Sequence, residues 1–421
     1  MPSTQGSPLN RVLRWSERYT HTDMVYLARS GFWLNLGSVS VSLFSLVLYI
    51  IFARVLSPEV YGTYQYLLSA GALIGAFSLT GMNSAVIRAV AQGKEGVLRR
   101  SVRIQLVWGL LPFSISLVVA AYYALHGNLL LAAGFALTAV FLPLNNALNT
   151  YSAFLAGKKD FRRLFLYNFC ISAVFYSTLA VIALSNPNII LLIATNLVTQ
   201  TTGLYIAYRT VVKKYHLPDT MDEETLQYGK HLSVMGVISS VVQYADNILA
   251  FHFLGPAALA VYSFATAVPD RIGGLLKFIP SALLPSFSQK SPQDIQRSIT
   301  TRSIVSITCA ALAIATLYSI VAPTLFHLLF PRYNASIPYS QIYAFFMVAI
   351  VGTVFTTALT AQKNVRALYI TNTAFPFFQL LLQIVGILFF GLWGLIGARL
   401  IAHVLLNILS GWLLFRQNVL I

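Results

Sequence analysis

The stretch GFWLNLGSVSVSLFSLVLYIIFARVLSP, from Gly31 to Pro58, decides the fold class. Its first 23 residues, 31–53, carry no charged side chain. About 20 such residues make a helix long enough to cross bilayer hydrocarbon, where backbone N–H and C=O groups must be satisfied within the helix itself. Working outward, comparable runs recur near 62–86, 104–125, 128–156, 164–184, 188–210, 231–254, 257–280, 303–328, 336–361, 367–389 and 391–414. Composition agrees with twelve spans. The 421 residues are 57% hydrophobic and only 10% charged, against roughly 25% charged in a soluble domain. Only lipid as solvent reconciles those two figures. The expectation is an all-α polytopic membrane protein of about twelve transmembrane helices.

The net charge of +16 is placed to report sidedness. If the N-terminus is cytoplasmic, all but four of the 28 Lys and Arg residues fall on cytoplasmic ends or loops. Arg54 and Arg332 lie on the other side, and Arg271 and Arg399 lie within spans. Clusters such as Lys94/Arg99/Arg100/Arg103, Lys158/Lys159/Arg162/Arg163 and Lys213/Lys214 alternate with nearly uncharged loops such as 185–188. That alternation is the positive-inside pattern. It implies both termini in the cytoplasm, with basic loops facing anionic lipid headgroups. It argues against nucleic acid as a partner. Residues 1–30 precede the first long apolar run, contain Arg11, Arg14, Arg18 and Arg29, and do not form a signal peptide. A surface-lying amphipathic helix is expected over 8–28. Cys170 and Cys309 sit in apolar runs and read as small packing residues rather than a disulfide or metal pair.

The end of the opening stretch recurs. Leu56-Ser57-Pro58, with Gly62 and Tyr64 following, returns 198 residues later as Leu254-Gly255-Pro256, with Ala260 and Tyr262. Proline suits the first turn of a helix, where its missing N–H costs nothing. Each copy ends the first span of its half and opens the second. The expected organisation is a cytoplasmic segment over 1–30, a six-helix bundle over 31–210, a linker over 211–230 and a second six-helix bundle over 231–421. Two like halves are a transporter layout.

Several segments, taken in order, resemble a known family. They are Leu56-Ser57-Pro58-Glu59-Val60-Tyr61-Gly62-Thr63-Tyr64, Gly157-Lys158-Lys159-Asp160-Phe161-Arg162, Asp246-Asn247 with Leu254-Gly255 and Tyr262, Leu284-Pro285-Ser286, and Gly391-Leu392-Trp393-Gly394-Leu395-Ile396-Gly397-Ala398. Together they resemble the Wzx-type oligosaccharide (O-antigen) flippases of polysaccharide biosynthesis, within the multidrug/oligosaccharidyl-lipid/polysaccharide exporter superfamily. The resemblance implies a MATE-like fold of two bundles around a central cavity open alternately to each side. It also implies a cargo of undecaprenyl-pyrophosphate-linked oligosaccharide, moved from the cytoplasmic to the periplasmic leaflet of the bacterial inner membrane, with proton or sodium coupling possible. The related lipid II flippases usually carry fourteen spans, so peptidoglycan precursor fits this twelve-span chain less well.

Ionisable residues at membrane depth are functional candidates by default. Arg271, in Pro269-Asp270-Arg271, falls near mid-bilayer, and a guanidinium binds phosphate oxygens bidentately. A salt bridge to Asp270 is the structural alternative. Asp246 lies eight residues before Leu254 and Arg399 eight residues after Gly391, at equal depth in the second half. They read as a buried ion pair or, more sharply, as a coupling-ion site at Asp246 with Arg399 facing cargo. Arg54, Arg88 and Lys277 lie near span ends, as snorkelling anchors or as further cations for pyrophosphate. Asn35, Asn145, Asn146, Asn149, Gln243, Asn247, Asn372, Gln379 and Gln383 could bond sugar hydroxyls or other helices.

Other functions fit less well. His126, His252 and His327 are isolated, and no nucleophile–base pair or paired carboxylates can be assigned, so a membrane enzyme such as a polysaccharide polymerase is disfavoured. No cofactor is expected. A multidrug or cation antiporter of the same superfamily would favour anionic residues, whereas the apolar runs offer two arginines against two aspartates.

Overall fold

The computed structural model describes residues 24–215, 223–276, 283, 287, 291–362 and 364–416. Among them the chain is helical, with no strand. The first half holds α1 Met24–Val55, α2 Pro58–Gly75, α3 Met82–Ala91, α4 Val97–Trp108, α5 Leu110–Leu125, α6 Leu129–Leu148, α7 Thr150–Gly157, α8 Phe161–Ser185 and α9 Ile189–Tyr215. The second half holds α10 Glu223–Leu254, α11 Pro256–Leu276, α12 Pro292–Ser298, α13 Thr301–Leu329, α14 Ile337–Tyr343, α15 Ile350–Ala361, α16 Val365–Tyr369 and α17 Phe375–Phe415. Side-chain caps make the short connectors workable, because they bond N–H groups that a helix start leaves open. Ser57 accepts from Val60 N–H, Asn128 from Leu131, Asp160 from Arg163 and Thr300 from Ser303.

Nine segments among the described residues are long and apolar enough to span a membrane. One of them, Arg366–Phe415, runs for 50 residues. At 1.5 Å per residue a straight helix of that length would measure about 75 Å, over twice the ~30 Å of hydrocarbon. It is not straight. Gly391 adopts φ 57° and ψ −135° inside α17, a conformation open essentially to glycine alone. The arms on either side pack closely: a Cβ on Gly394 would stand 1.8 Å from the Gly386 carbonyl oxygen. The runs expected at 367–389 and 391–414 are therefore two helices joined at one residue. The shorter helices α2 and α11 open the runs expected at 62–86 and 257–280.

The 62–86 run departs from expectation. It breaks after α2, and Leu79 takes φ 55° before α3 begins, a strained backbone for a branched residue. In the 281–302 connector, Pro292–Ser298 forms the short helix α12. Of the amphipathic helix expected over 8–28, residues 8–23 lie outside the described residues, while Met24 onward already belongs to α1. Cys170 and Cys309 are both exposed, so they occupy outward faces of α8 and α13 rather than packed positions. Large apolar side chains share such faces, among them Leu125, Leu275 and Phe389. Water would not tolerate that much contiguous apolar surface.

The chain divides into two compact units. One comprises residues 1–51, 77–186 and 190–234; the other comprises 52–76, 187–189 and 235–421. The segment 52–76, which carries the first copy of the repeat, thus groups with the second. In that second unit α2 and α11 touch: a Cβ on Gly62 would lie 1.8 Å from the Pro256 carbonyl oxygen. Both prolines open their helices, each after a helix of 32 residues.

Candidate functional site

In the second unit, buried Asp246, half-buried Arg399 and exposed Asp270 are joined through tyrosines in one network. Asp246 comes from α10, Tyr262 and Asp270 from α11, Tyr343 from the end of α14, Phe346 from the turn after it, and Arg399 from the second arm of α17. Asp246 Oδ2 accepts from Arg399 Nη1 at 2.6 Å and from the Tyr262 hydroxyl at 2.5 Å. The same Arg399 nitrogen lies 2.7 Å from the Tyr262 oxygen. The Asp246 side chain is 6% exposed and that of Arg399 21%. Two rings also face the guanidinium, Tyr343 at 5.2 Å and Phe346 at 5.3 Å, within range of a cation–π attraction. Tyr343 in turn donates its hydroxyl to Asp270 Oδ1 at 2.7 Å. His403, one turn beyond Arg399, stands edge-on to Phe346 with centroids 4.5 Å apart.

Local sequence explains how these groups arrive. Pro269 lies inside α11, where it removes one backbone donor, and Asp270 and Arg271 follow at once. The Gly391 corner and the Gly386–Gly394 contact fix the register of α17, which sets the depth of Arg399. A charge at mid-membrane costs at least ~2.5–3.5 kcal/mol on insertion scales. Here the carboxylate, the phenol and two ring faces offset that cost for Arg399.

The sequence-derived candidates divide on inspection. Asp246 and Arg399, read as equal in depth, form an ion pair. Arg271 is half-buried on α11, adjacent in sequence to the network's Asp270. Arg54 donates to the Leu328 carbonyl at 2.9 Å, and Arg332 to the Val55 carbonyl at 2.6 Å. Arg54 thereby occupies a terminal carbonyl of α13 and Arg332 a terminal carbonyl of α1, and termini are where helices leave carbonyls open. Arg88, in the first unit, pairs with Glu224 at 3.1 Å and lies over the Tyr228 ring at 5.0 Å, with 49% of its side chain exposed. Lys277 lies outside the described residues. Among the amides, Asn247 donates to Ser69 at 2.8 Å and Asn145 accepts from Thr201 at 2.6 Å, both helix–helix bonds.

The tyrosines escaped sequence reasoning. Tyr262 stood out only in the repeat and in the family resemblance, not as a partner for charge, and nothing marked Tyr343 among 22 tyrosines. Tyr66 was equally silent, yet it stacks on Phe251 at 3.8 Å with its hydroxyl 3.1 Å from His252 Nε2.

A family described as polysaccharide biosynthesis protein matches residues 27–291. No curated protein matches the sequence. Among solved structures, the lipid II flippase MurJ in an inward closed conformation aligns with TM-score 0.67 at 12% identity, over 89% of this chain and 86% of that one. An inward-facing multidrug resistance MATE family transporter of the MOP superfamily aligns with TM-score 0.65 at 13% identity, over 89% and 94%. A MOP superfamily transporter from Pyrococcus furiosus, described as having a binding pocket of reverse polarity, gives TM-score 0.56 at 13% identity, over 93% and 96%. At such identities the likeness is one of fold.

Proposed function

Since the chain belongs to the polysaccharide biosynthesis protein family, we propose that it translocates a polyprenyl-pyrophosphate-linked oligosaccharide across the bacterial inner membrane by alternating access. The observation that carries this reading is the family match over residues 27–291, which takes in α1 to α11 and therefore Arg271. The lipid II flippase fold supports a lipid-linked cargo, and undecaprenyl is the carrier the sequence resemblance implies. The protein acts as a transporter, not an enzyme. Its termini and basic loops face the cytoplasm, in contact with anionic lipid.

In this reading Arg271 binds the pyrophosphate. Guanidinium remains charged at any accessible pH and presents a planar fork to phosphate oxygens. Asp246 is already engaged by Arg399 and Tyr262, so coupling to a proton or sodium ion at Asp246 requires one of those bonds to open. A multidrug antiporter of the same fold is the second reading. The family match favours the first.

The test is translocation of lipid-linked oligosaccharide in proteoliposomes, with folding checked for each variant. Arg271→Ala is expected to abolish flipping, alone or combined with Asp270→Ala, while Arg271→Lys retains part of it because ammonium keeps the charge without the fork. Near-normal flipping by a well-folded Arg271→Ala protein would end the pyrophosphate assignment. Transport of organic cations with no flipping would replace the reading by the antiporter.

A further inference from the structure

A pocket of about 590 Å³ lies within the first unit, between α1, α8 and α9. Small-molecule sites occupy roughly 300–1,000 Å³, so its size suits one or two sugar rings. Its chemistry is more telling than its size. None of its lining residues is charged, although the chain is rich in Lys and Arg elsewhere. Hydroxyls and amides are among its lining groups: Ser38, Asn149, Asn168, Ser172 and Gln200. Rings line it as well: Trp33, Phe165, Phe175 and Tyr176.

We propose that this pocket binds the uncharged glycan portion of the cargo, a neutral oligosaccharide; the assignment rests on the translocation reading above. A bare acyl chain has no use for two asparagines and a glutamine, whose amides lose hydrogen bonds when covered by hydrocarbon. An anion calls for a cationic lining, and an organic cation for a carboxylate. A neutral polyol matches both surfaces, because its hydroxyls donate and accept while its C–H faces lie against rings.

The pocket is also preorganised. Tyr151, fully buried, donates its hydroxyl to Asn168 Oδ1 at 2.6 Å. That bond fixes the amide and turns its two N–H donors the other way. Trp33 is braced by Phe165, with centroids 5.3 Å apart, and Tyr176 stacks on Phe44 at 6.1 Å. Rings already held in place lose little freedom when a ligand arrives. Low local dielectric strengthens each hydrogen bond that such a ligand makes.

The experiment uses the full chain in phosphatidylcholine nanodiscs, with Trp15, Trp108, Trp393 and Trp412 changed to Phe so that Trp33 alone reports. Two probes are titrated: a polyprenyl pyrophosphate bearing a neutral trisaccharide, and the same lipid without sugar. Both probes carry a radiolabel in the prenyl chain, so bound lipid is counted directly for each, and the expected result is binding of both with a Trp33 fluorescence change for the glycosylated probe only. Gln200→Leu, which removes the amide, and Ser172→Phe, which fills the pocket, should each weaken glycosylated-probe affinity about tenfold or more. Affinity for the bare lipid should stay unchanged, and that arm also shows that each variant is folded. If both probes bind equally to wild type and variants and Trp33 stays silent, the pocket assignment falls and the carrier reading stands. If neither probe binds, the carrier reading falls and takes the pocket with it.

Discussion

Asp246 and Arg399 show why a buried pair is more than the sum of its charges. The carboxylate accepts two short bonds, and the guanidinium adds two ring faces to the one carboxylate. Replacing both partners by apolar groups is often tolerated, whereas removing one leaves the other stranded, at a cost of roughly 3–5 kcal/mol. Asp246→Ala is therefore expected to lower the thermal unfolding temperature in detergent sharply. Asp246→Asn keeps an acceptor and should cost less, and Asp246→Ala with Arg399→Ala should recover much of the loss. Equal stability of Asp246→Ala and wild type would show that the pair holds nothing in place. Tyr262→Phe removes one bond to the same oxygen, and the expected cost is on the order of 1 kcal/mol.

Among elements, the pair α2–α11 and the two arms of α17 depend on glycines for one steric reason: helix axes approach closely only where a Cβ is missing. At Gly62 the added carbon would lie 1.8 Å from the Pro256 oxygen, and at Gly394 it would lie 1.8 Å from the Gly386 oxygen. Gly391 is different, because its need is conformational: nothing but the Leu254 side chain, at 3.8 Å, comes near its missing Cβ. Gly391→Ala should destabilise by on the order of 1–3 kcal/mol through backbone strain. Gly394→Val should do worse through overlap. Gly397→Ala, three residues along the same arm, meets nothing within 4 Å and should behave as wild type. The monodisperse fraction on size-exclusion chromatography after extraction reads all three. A Gly394→Val protein as well behaved as Gly397→Ala would show that the arms do not pack this closely.

For the whole molecule, sidedness is the property most exposed to test. Both native cysteines lie on exposed faces and must be changed to serine before labelling. Single cysteines at 158 and 213 should then resist membrane-impermeant maleimide in intact cells, while one at 186 should label. Strong external labelling at 158 or 213 would invert the topology. At the basic ends of the first unit, Lys158 pairs with Glu95 and Arg163 with Asp160. In the proposed topology these basic ends face the cytoplasmic leaflet, where each lysine or arginine near an anionic surface contributes about 1 kcal/mol of attraction.

Helix content, the order of the apolar runs and the family were legible in the sequence because lipid imposes local rules. A spanning segment must be apolar over about 20 residues and must bond its own backbone, and both demands are met residue by residue along the chain. The proline that opens each repeat and the equal depth of Asp246 and Arg399 were legible for the same reason, since counting along a helix gives depth. Direction around the helix axis is what counting does not give. Whether Arg54 reaches a carbonyl on α13, whether Tyr343 lies under Arg399, and whether Cys170 packs or faces outward all depend on neighbours distant in the sequence. The break at Leu79 belongs to that class too, because the apolar run continues through it and hydropathy has no term for a left-handed backbone. Tertiary packing decided these features: within lipid most faces of a helix are almost equally apolar, so small steric and hydrogen-bonding differences between neighbours choose among them.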